Sequence, residues 1–385
     1  MSGPRRVLVP AGTRPEFVKL APVVAALRAV GLTTRVVATG QHHDAAMAGS
    51  FFDELGLEPD ARHELAGDEP ARLAGLVAQA ERELADWRPD VVLLLGDTNT
   101  VPAYGLAARR RRVPVAHLEA GLRSFNATSI EEVNRKVAAQ LASLQLAPTE
   151  LARRFLLDEG IPEDRIEVVG NPVIDVLVAA GAAARAPEAR SGVLLTAHRA
   201  TNVDDPERLA GLVRIVRRLA TEVGEVLFPV HPRTAARLEE TGLRAELDLD
   251  GIELRPPLSY SEMLARLAAS KVVVTDSGGL QEEASFLGVP VVVLRRSTPR
   301  WEGVALGSAR LVGLDVEAAL EAAARFAEPA ELARVAGLPC PYGDGRTSRR
   351  VAGLLADDGV VARMALCEPD LVDWVPAGIA GGGRS

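Results

Sequence analysis

Short apolar runs alternate with longer segments of helical periodicity along most of the chain. The clearest runs are rich in β-branched residues and poor in polar ones, and they lie at residues 6–10, 35–38, 90–95, 192–196, 226–230 and 272–274. Such runs are typical of strands buried on both faces of a parallel sheet. Between them, apolar residues recur three and four positions apart, which indicates amphipathic helices. The pattern predicts an α/β fold of doubly wound parallel sheets, in which ligands bind beyond the carboxyl ends of the strands.

The stretch from residue 272 to residue 293 reads as strand, turn, helix and strand, and its turn is Ser277-Gly278-Gly279. We predict that Ser277 caps a helix that begins near Gly279. The two glycines leave backbone N–H groups uncovered beside the positive end of that helix, and such a place binds phosphate readily. An ordinary strand-to-helix turn can have the same residues, so this turn alone leaves both interpretations open.

Two other turns carry a basic or titratable side chain after a strand. The turn at residues 11–16 has one glycine where the dinucleotide fingerprint needs three, so it predicts no nicotinamide site. Its Arg14 can bind a phosphate in bidentate fashion, or it can serve as a helix cap or a salt-bridge partner. His198 follows the strand at 192–196 and can be a base, a phosphate ligand or simply a helix-start residue.

Three acidic residues follow predicted strands or open the next helix in the first half of the chain. Asp97 and Glu119 come after strands and Glu131 begins a helix, and parallel topology brings all three to one sheet edge. Their mutual repulsion is expected to raise at least one pKa toward neutrality, which is how acid and base roles are divided. The turn at 39–43 adds Gln41, His42 and His43 to the same edge, and in the second half Glu302 suits a sugar hydroxyl.

The length of 385 residues favours two domains, with a junction near Gly170. The hydrophobic share of 48% and the charged share of 25% are those of an ordinary globular protein. A net charge of −8 argues against nucleic acid as a partner. The two cysteines, Cys340 and Cys367, are too few for a disulfide framework and lack metal-like spacing. With neither a signal peptide nor a run long enough to span a bilayer, the sequence predicts a cytoplasmic protein.

Seven ordered motifs together resemble the bacterial UDP-N-acetylglucosamine 2-epimerase family of the non-hydrolysing type. They span nearly the whole chain and are therefore much more specific than any one alone. The motifs are GTRPE at 12–16, TGQH at 39–42, GDT at 96–98, HLEAGLR at 117–123, EEVNR at 131–135, GNPVID at 170–175 and DSGGLQEE at 276–283.

The resemblance implies two Rossmann-like domains arranged as in GT-B glycosyltransferases, with UDP in the cleft between them. It implies residues 1–171 as the domain of the catalytic carboxylates and 172–352 as the UDP-binding domain. Residues 353–385 would form a helix that packs back on the first domain, followed by a flexible tail. It further implies a homodimer that uses no cofactor and no metal. The reaction would eliminate UDP from UDP-GlcNAc to give 2-acetamidoglucal and add it back with inversion at C2.

By motif position, the resemblance implies Asp97, Glu119 and Glu131 as acid/base groups, with His198 and Arg14 steadying the diphosphate. Ser277, Gly278, Gly279, Glu282 and Glu302 would contact the UDP part of the substrate.

Several positions depart from the family pattern. Asn126, Ala127 and Ile130 replace the usual aspartate, arginine and proline before Glu131, and Thr201 replaces a glutamate. Pro299 and Trp301 alter the usual Thr-Glu-Arg-Pro-Glu loop. These departures leave two alternatives open: a hydrolysing epimerase that releases ManNAc and UDP, and an epimerase-like or glycosyltransferase-like protein that binds nucleotide sugars with altered activity.

Overall fold

Two parallel sheets organise the computed structural model, which describes residues 4–41, 52 and 55–368. The strands of the first sheet are β1 (Arg6–Ala11), β2 (Thr33–Ala38), β3 (Ala61–Arg62), β4 (Val91–Leu95), β5 (Val115–Leu118), β6 (Leu144–Ala147) and β7 (Ile166–Val168). Those of the second are β8 (Val193–Thr196), β9 (Val226–Pro229), β10 (Ile252–Arg255), β11 (Val272–Thr275), β12 (Val291–Val293) and β13 (Ala309–Leu311).

Helices connect the strands throughout the described residues. Those up to residue 180 are α1 (Arg14–Ala29), α2 (Glu69–Trp87), α3 (Thr100–Arg110), α4 (Ile130–Leu141), α5 (Glu150–Asp158) and α6 (Pro172–Ala179). The later ones are α7 (Ala200–Val203), α8 (Pro206–Glu222), α9 (Pro232–Glu240), α10 (Tyr260–Ala269), α11 (Gly278–Phe286), α12 (Trp301–Ala305), α13 (Val316–Phe326), α14 (Pro329–Ala336), α15 (Thr347–Ala356) and α16 (Asp358–Met364). None of them is long and apolar enough to cross a membrane.

The strand orders are β3-β2-β1-β4-β5-β6-β7 and β10-β9-β8-β11-β12-β13, and neighbouring strands are parallel. Both orders run outward from a first strand in opposite directions, as in the doubly wound nucleotide-binding fold. Every residue of β4 and of β11 is buried, which explains their uninterrupted apolar runs. The predicted α/β fold with two Rossmann-like sheets is confirmed.

The starts of two elements have local explanations. β5 begins at Val115, because the preceding Pro114 lacks the N–H that a central strand would donate. α11 begins at Gly278, and its N-cap residue Ser277 makes no side-chain capping hydrogen bond, contrary to the predicted cap.

The last described helices return to the first sheet. Val351 and Leu355 of α15 are buried in the same apolar cluster as Leu20 of α1. The return begins at Thr347, where the carboxylate of Asp175 accepts hydrogen bonds from the N–H groups of Thr347 and Ser348 at 3.1 and 2.8 Å. Residues 369–385, predicted as a tail, lie outside the described residues.

Candidate active site

A cleft of about 610 Å³ lies where turns from both sheets face each other. Its acidic lining residues are Glu16, Asp97, Glu119, Glu131 and Glu283, and its basic ones are Arg14, Lys19, Arg135, Arg199, Arg295 and Arg300. Of the residues predicted for the site, the cleft brings together Arg14, Asp97, Glu119, Glu131, Ser277, Gly278 and Gly279. His198, Glu282 and Glu302 are not among the lining residues. The predicted His42 and His43 lie outside the described residues.

Glu119 sits directly after β5 in a left-handed conformation, with φ of 63°, which is uncommon for a residue with a Cβ. Gly121 makes this sharp turn possible, because a Cβ there would lie 2.3 Å from the carbonyl oxygen of Ala152 in α5. The tight turn presses the loop against α5 and points the Glu119 carboxylate toward the ammonium group of Lys19, with which it forms an ion pair.

The expected rise in pKa is not found at Glu119 or Glu131, because cations act on both carboxylates. Burial opposes ionisation of Glu119, but the charges of Lys19 and Arg300 outweigh it and hold its pKa below the usual range. Lys19 reaches across to the second domain, where its Nζ lies 3.3 Å from Glu282 Oε2. Arg300 completes the cluster with its Nε 2.9 Å from Glu282 Oε1. The cluster therefore keeps Glu119 ionised at neutral pH.

Asp97 follows β4, and residues of α4 hold it in place. Arg135 forms an ion pair with the Asp97 carboxylate, and its other nitrogen donates to Glu132 Oε2 at 2.6 Å. Asn134 adds a hydrogen bond from its side chain to the Asp97 carbonyl oxygen at 2.9 Å. One turn of α4 thus fixes the position of the Asp97 carboxylate, and the EEVNR motif that supplies it was visible in the sequence.

Glu131 lies at the mouth of the cleft in the first turn of α4. Its carboxylate accepts a hydrogen bond from the Ser129 hydroxyl. Burial opposes ionisation of Glu131, but this hydrogen bond and the charges of Arg199 and Arg135 hold its pKa below the usual range. Arg199 belongs to the second domain, and it lines the same cleft as Glu131.

Glu16 is a cleft acid that the sequence reading did not assign. One carboxylate oxygen accepts from the N–H groups of Gly12 and Thr13 at 2.9 and 2.8 Å, and the other accepts from the Thr98 hydroxyl at 2.8 Å. Burial raises the pKa of Glu16 to about 7 despite these donors. The Thr13-x-x-Glu16 spacing is a capping-box signature, which could have revealed the role of Glu16 in shaping this turn.

Asp276 organises the turns of the second sheet. Its buried carboxylate accepts from the N–H groups of His198 and Arg199 at 3.1 and 2.9 Å and from the side chain of Asn202 at 3.1 Å. His198 also approaches it, with Nδ1 3.2 Å from Asp276 Oδ1, and stacks near the ring of His231. The His198 side chain is thus bound to Asp276 and is not part of the cleft lining, although the neighbouring Arg199 is.

Glu282 and Glu302, which the resemblance implies as contacts of the nucleotide, are buried and bonded to protein groups in this structure. Glu282 is fully buried in its ion pairs with Lys19 and Arg300. Glu302 accepts from the Thr149 hydroxyl at 2.6 Å and from the Tyr342 hydroxyl at 3.2 Å. Both carboxylates therefore join residues of the two domains.

The acid that faces the cleft from α11 is instead Glu283, the next residue of the same motif. It lies in the cleft lining close to Tyr260, and burial raises its pKa to about 7. Glu282 and Glu283 are adjacent acids on α11. Glu282 packs against α1, where it faces Lys19, whereas Glu283 lines the cleft. No group of three or more histidine, cysteine or acidic residues in the described part of the chain is arranged to hold a metal ion.

The cleft has two walls with different chemistry. The first domain supplies carboxylates held ionised beside cations, which can move protons to and from a substrate carbon. The second domain supplies the N-terminus of α11, whose free N–H groups and dipole favour an anion, together with arginines. Such a pairing suits a reaction in which a weakly acidic C–H proton is removed while an anionic group departs.

Comparisons with known proteins point to one family. Residues 25–356 match the family model described as UDP-N-acetylglucosamine 2-epimerase. The UDP-N-acetylglucosamine 2-epimerase of Methanocaldococcus jannaschii is 36% identical over 360 residues, which cover 89% of this chain and 97% of that protein.

A relative with a different name is equally similar. The UDP-2,3-diacetamido-2,3-dideoxy-D-glucuronate 2-epimerase of Pseudomonas aeruginosa is 36% identical over 91% of this chain and 99% of its own length. Among solved structures, the M. jannaschii UDP-GlcNAc 2-epimerase in complex with UDP-GlcNAc and UDP superposes with a TM-score of 0.80. It is 35% identical and covers 91% of this chain and 99% of that one.

Proposed function

This chain belongs to the UDP-N-acetylglucosamine 2-epimerase family, and we propose that it interconverts UDP-GlcNAc and UDP-ManNAc by eliminating UDP and adding it back. The observation that carries the proposal is the cleft itself, in which Asp97, Glu119 and Glu131 face an anion-binding helix N-terminus across the domain boundary. Membership of the family points to a UDP-sugar substrate, and the geometry of the cleft residues supports the same substrate.

Inversion at C2 makes a specific demand on the acids. A proton must leave one face of the sugar and return on the other, so at least two groups must be placed to exchange it. We propose that Asp97, Glu119 and Glu131 share this work. Glu119 is available as an ionised base because Lys19 and Arg300 neutralise its surroundings. Asp97 is oriented by Arg135 in the same way.

The second domain would hold the diphosphate. We propose that Ser277, Gly278 and Gly279 present the N–H groups of α11 to it, with Arg14 approaching from the opposite wall. His198 would reach it through Nε2, the ring nitrogen that does not face Asp276. We further propose that each sheet belongs to one domain, residues 1–171 and residues 172–352. The helix after residue 352 would return to the first domain.

Proton exchange at C2 tests this function. When purified protein is incubated with UDP-GlcNAc in deuterated water, proton NMR should show deuterium at C2 of both UDP-GlcNAc and UDP-ManNAc. Asp97→Asn should abolish the exchange while leaving the circular dichroism spectrum unchanged. Asp250→Asn, an exposed position distant in sequence from the motifs, is the matched control and should exchange like the unmodified protein. A folded protein that binds UDP but exchanges no deuterium would refute the epimerase.

The same spectra distinguish two other outcomes. Free UDP and ManNAc that accumulate in step would indicate the hydrolysing reaction. Incubation with a UDP-linked 2,3-diacetamido glucuronate, the sugar named for the P. aeruginosa relative, would show whether the replaced loop residues Asn126 and Ala127 have moved the preference to that substrate.

We also propose a homodimer. Ile130, Val133 and Val137 form an exposed apolar stripe along α4, at 55%, 47% and 40% exposure, which a second copy of the chain could cover. Light scattering would give the mass, and Val133→Glu should yield a monomer if the stripe is the contact.

A cytoplasmic location is proposed as well, since Cys340 and Cys367 form no disulfide, and cell fractionation would check it.

A further inference from the structure

The second acid of α4, Glu132, turns away from the cleft although its neighbour Glu131 lines it. Glu132 is only 1% exposed and is not among the lining residues. Its carboxylate accepts five hydrogen bonds, which come from Ser124, Phe125 and Arg135. Such a carboxylate fixes its neighbours as well as itself, because removing it would leave several donors without an acceptor.

Arg135 connects Glu132 to the Asp97 carboxylate. Its Nε and Nη2 donate to Glu132 Oε2 at 3.0 and 2.6 Å, whereas its Nη1 forms the ion pair with Asp97. A guanidinium group is planar and rigid, so fixing Nε and Nη2 also fixes the direction in which Nη1 points. Burial opposes ionisation of Glu132, but the Ser124 N–H and the Arg135 side chain hold its pKa below the usual range. Glu132 is therefore a charged partner for Arg135 at neutral pH.

The other partners of Glu132 belong to the loop between β5 and α4. Glu132 Oε2 accepts from the Ser124 N–H at 2.8 Å and from the Ser124 hydroxyl at 3.0 Å, and Oε1 accepts from the Phe125 N–H at 3.0 Å. Phe125 has a φ of 56°, which is uncommon for a residue with a Cβ and needs support from its surroundings. Glu132 supplies that support, so the conformation of this loop and the position of Glu132 depend on each other.

Trp301 of the second domain contacts the same loop from across the domain boundary. Its indole N–H donates to the Arg123 carbonyl oxygen at 2.9 Å, and its ring centroid lies 6.2 Å from that of Phe125. Phe155 of the first domain packs edge-on against Phe125 with ring centroids 5.2 Å apart. The Phe125 ring thus has an aromatic partner in each domain, and a movement of the second domain acts on this loop.

We propose that Glu132 is a positioning residue for the reaction and that it transmits the interdomain contact at Trp301 to the Asp97 carboxylate. The inference rests on the proposed function. When α12 lies against the loop, residues 124 and 125 hold Glu132, Glu132 orients the Arg135 guanidinium group, and Arg135 places Asp97. Asp97 is therefore in its working position only while the domain that would hold the nucleotide contacts the first domain. A small displacement of an acid/base group is enough to slow proton transfer.

Steady-state kinetics with UDP-GlcNAc and isothermal titration with UDP test the role of Glu132. Glu132→Gln keeps the size of the side chain but loses the charge that holds the guanidinium group, so kcat should fall by roughly 100-fold. KM and the UDP affinity should not change, because the opposite wall would hold the nucleotide. The matched control is Glu331→Gln in α14, where Arg334 donates from Nε and Nη2 to Glu331 Oε2 at 3.0 and 2.8 Å. That pair has the same three-residue spacing but lies outside the cleft lining, so the control should keep full activity.

Ser124→Ala is a milder variant of the same contact. It removes only the hydroxyl group that donates to Glu132 at 3.0 Å and accepts from Arg135 Nη2 at 3.2 Å. We expect kcat to fall roughly 3- to 10-fold, again without a change in KM. Circular dichroism would check the folding of each variant, and Ser124→Ala replaces Glu132→Gln in every measurement if the latter does not fold.

A double-mutant cycle tests the transmission from Trp301. Trp301→Phe alone removes the indole hydrogen bond and should lower kcat roughly 3- to 10-fold. In the Glu132→Gln background the same substitution should have no further effect on kcat, because the connection is already broken. Additive effects of the two substitutions would overturn the transmission.

Two other results would overturn the positioning role itself. One is an unchanged kcat in a folded Glu132→Gln protein, and the other is a parallel loss of kcat and UDP affinity, which would indicate general distortion of the cleft. Failure of the proposed function looks different, because then the unmodified protein itself would not convert UDP-GlcNAc.

Discussion

Replacing Lys19 by methionine measures how much one ammonium group contributes at the centre of the site. Lys19 contacts Glu119 and approaches Glu282 at 3.3 Å, and the side chains of the three residues are only 13%, 6% and 0% exposed. Methionine has a similar length and no charge, so the variant removes the cation while the packing of α1 is largely kept.

The size of the effect follows from the partners that remain. Breaking a buried ion pair by removing one member costs about 3–5 kcal/mol. Arg300 still faces Glu282 at 2.9 Å and still acts on Glu119 in the variant, so both carboxylates keep part of their compensation and the lower end of the range applies, about 3 kcal/mol. For a domain of this size, that corresponds to a melting temperature lowered by about 6–12 °C at neutral pH.

The pH dependence has a definite sign. In the unmodified protein the pKa of Glu119 is lowered, so its contribution to stability is present above the ordinary glutamate pKa of about 4.3 and is lost as the pH falls through the folded value. In the variant, burial without Lys19 would raise that pKa, so the same carboxylate would weaken the fold as the pH rises above about 4.3. The difference between the two proteins should therefore be small near about pH 4 and grow toward about pH 8.

Thermal and urea unfolding followed by circular dichroism across this pH range would measure the difference. Lys136→Met, an exposed lysine on α4, is the control and should change little at any pH. Adding Glu119→Gln to Lys19→Met should recover most of the lost stability, because the uncompensated charge is then gone. A loss that stays constant with pH, or one that the second substitution does not relieve, would refute the account of the cluster.

Three further expectations follow from single residues. Because the pKa of Glu283 is raised to about 7, the folded state retains a proton that the unfolded chain releases near about pH 4.3, so stability should decline between these values; Glu283→Gln should flatten that decline in melting curves. Trp301→Phe removes the 2.9 Å hydrogen bond from its indole N–H to the Arg123 carbonyl oxygen across the domains, and urea unfolding should show a loss of about 1 kcal/mol. Gly121→Ala should prevent stable folding because of its 2.3 Å overlap with backbone, whereas Gly160→Ala, with φ of 80° and open space around it, should cost only about 1 kcal/mol of strain; equal melting temperatures would contradict the difference.

Much of the fold was predictable from local pattern. Strands such as β4 and β11 are buried on both faces, so their apolar runs stand out without any knowledge of their neighbours. The positions of Asp97 and Glu119 followed from topology, since parallel strands deliver their carboxyl ends to one edge. The sequence also contains the capping-box spacing of Thr13 and Glu16, although no role for Glu16 was predicted from it.

The charge state of the acids was not predictable in the same way. Counting Asp97, Glu119 and Glu131 at one edge suggested repulsion, yet the structure lowers the pKa of Glu119 and of Glu131 because cations and hydrogen-bond donors from elsewhere surround them. A single sequence gives no distance between an acid and the lysine that will neutralise it.

Sequence alone determined the two-sheet fold, the cleft edge and seven of the residues that line the cleft, because each depends on periodicity or on a short motif. Tertiary structure decided which acids face the cleft and which are already paired. Glu282 meets Lys19 across 263 positions of chain, and Glu302 meets Thr149 across 153. Such partners come together only when the two domains pack, and the same packing buries Glu282 while Glu283 lines the cleft.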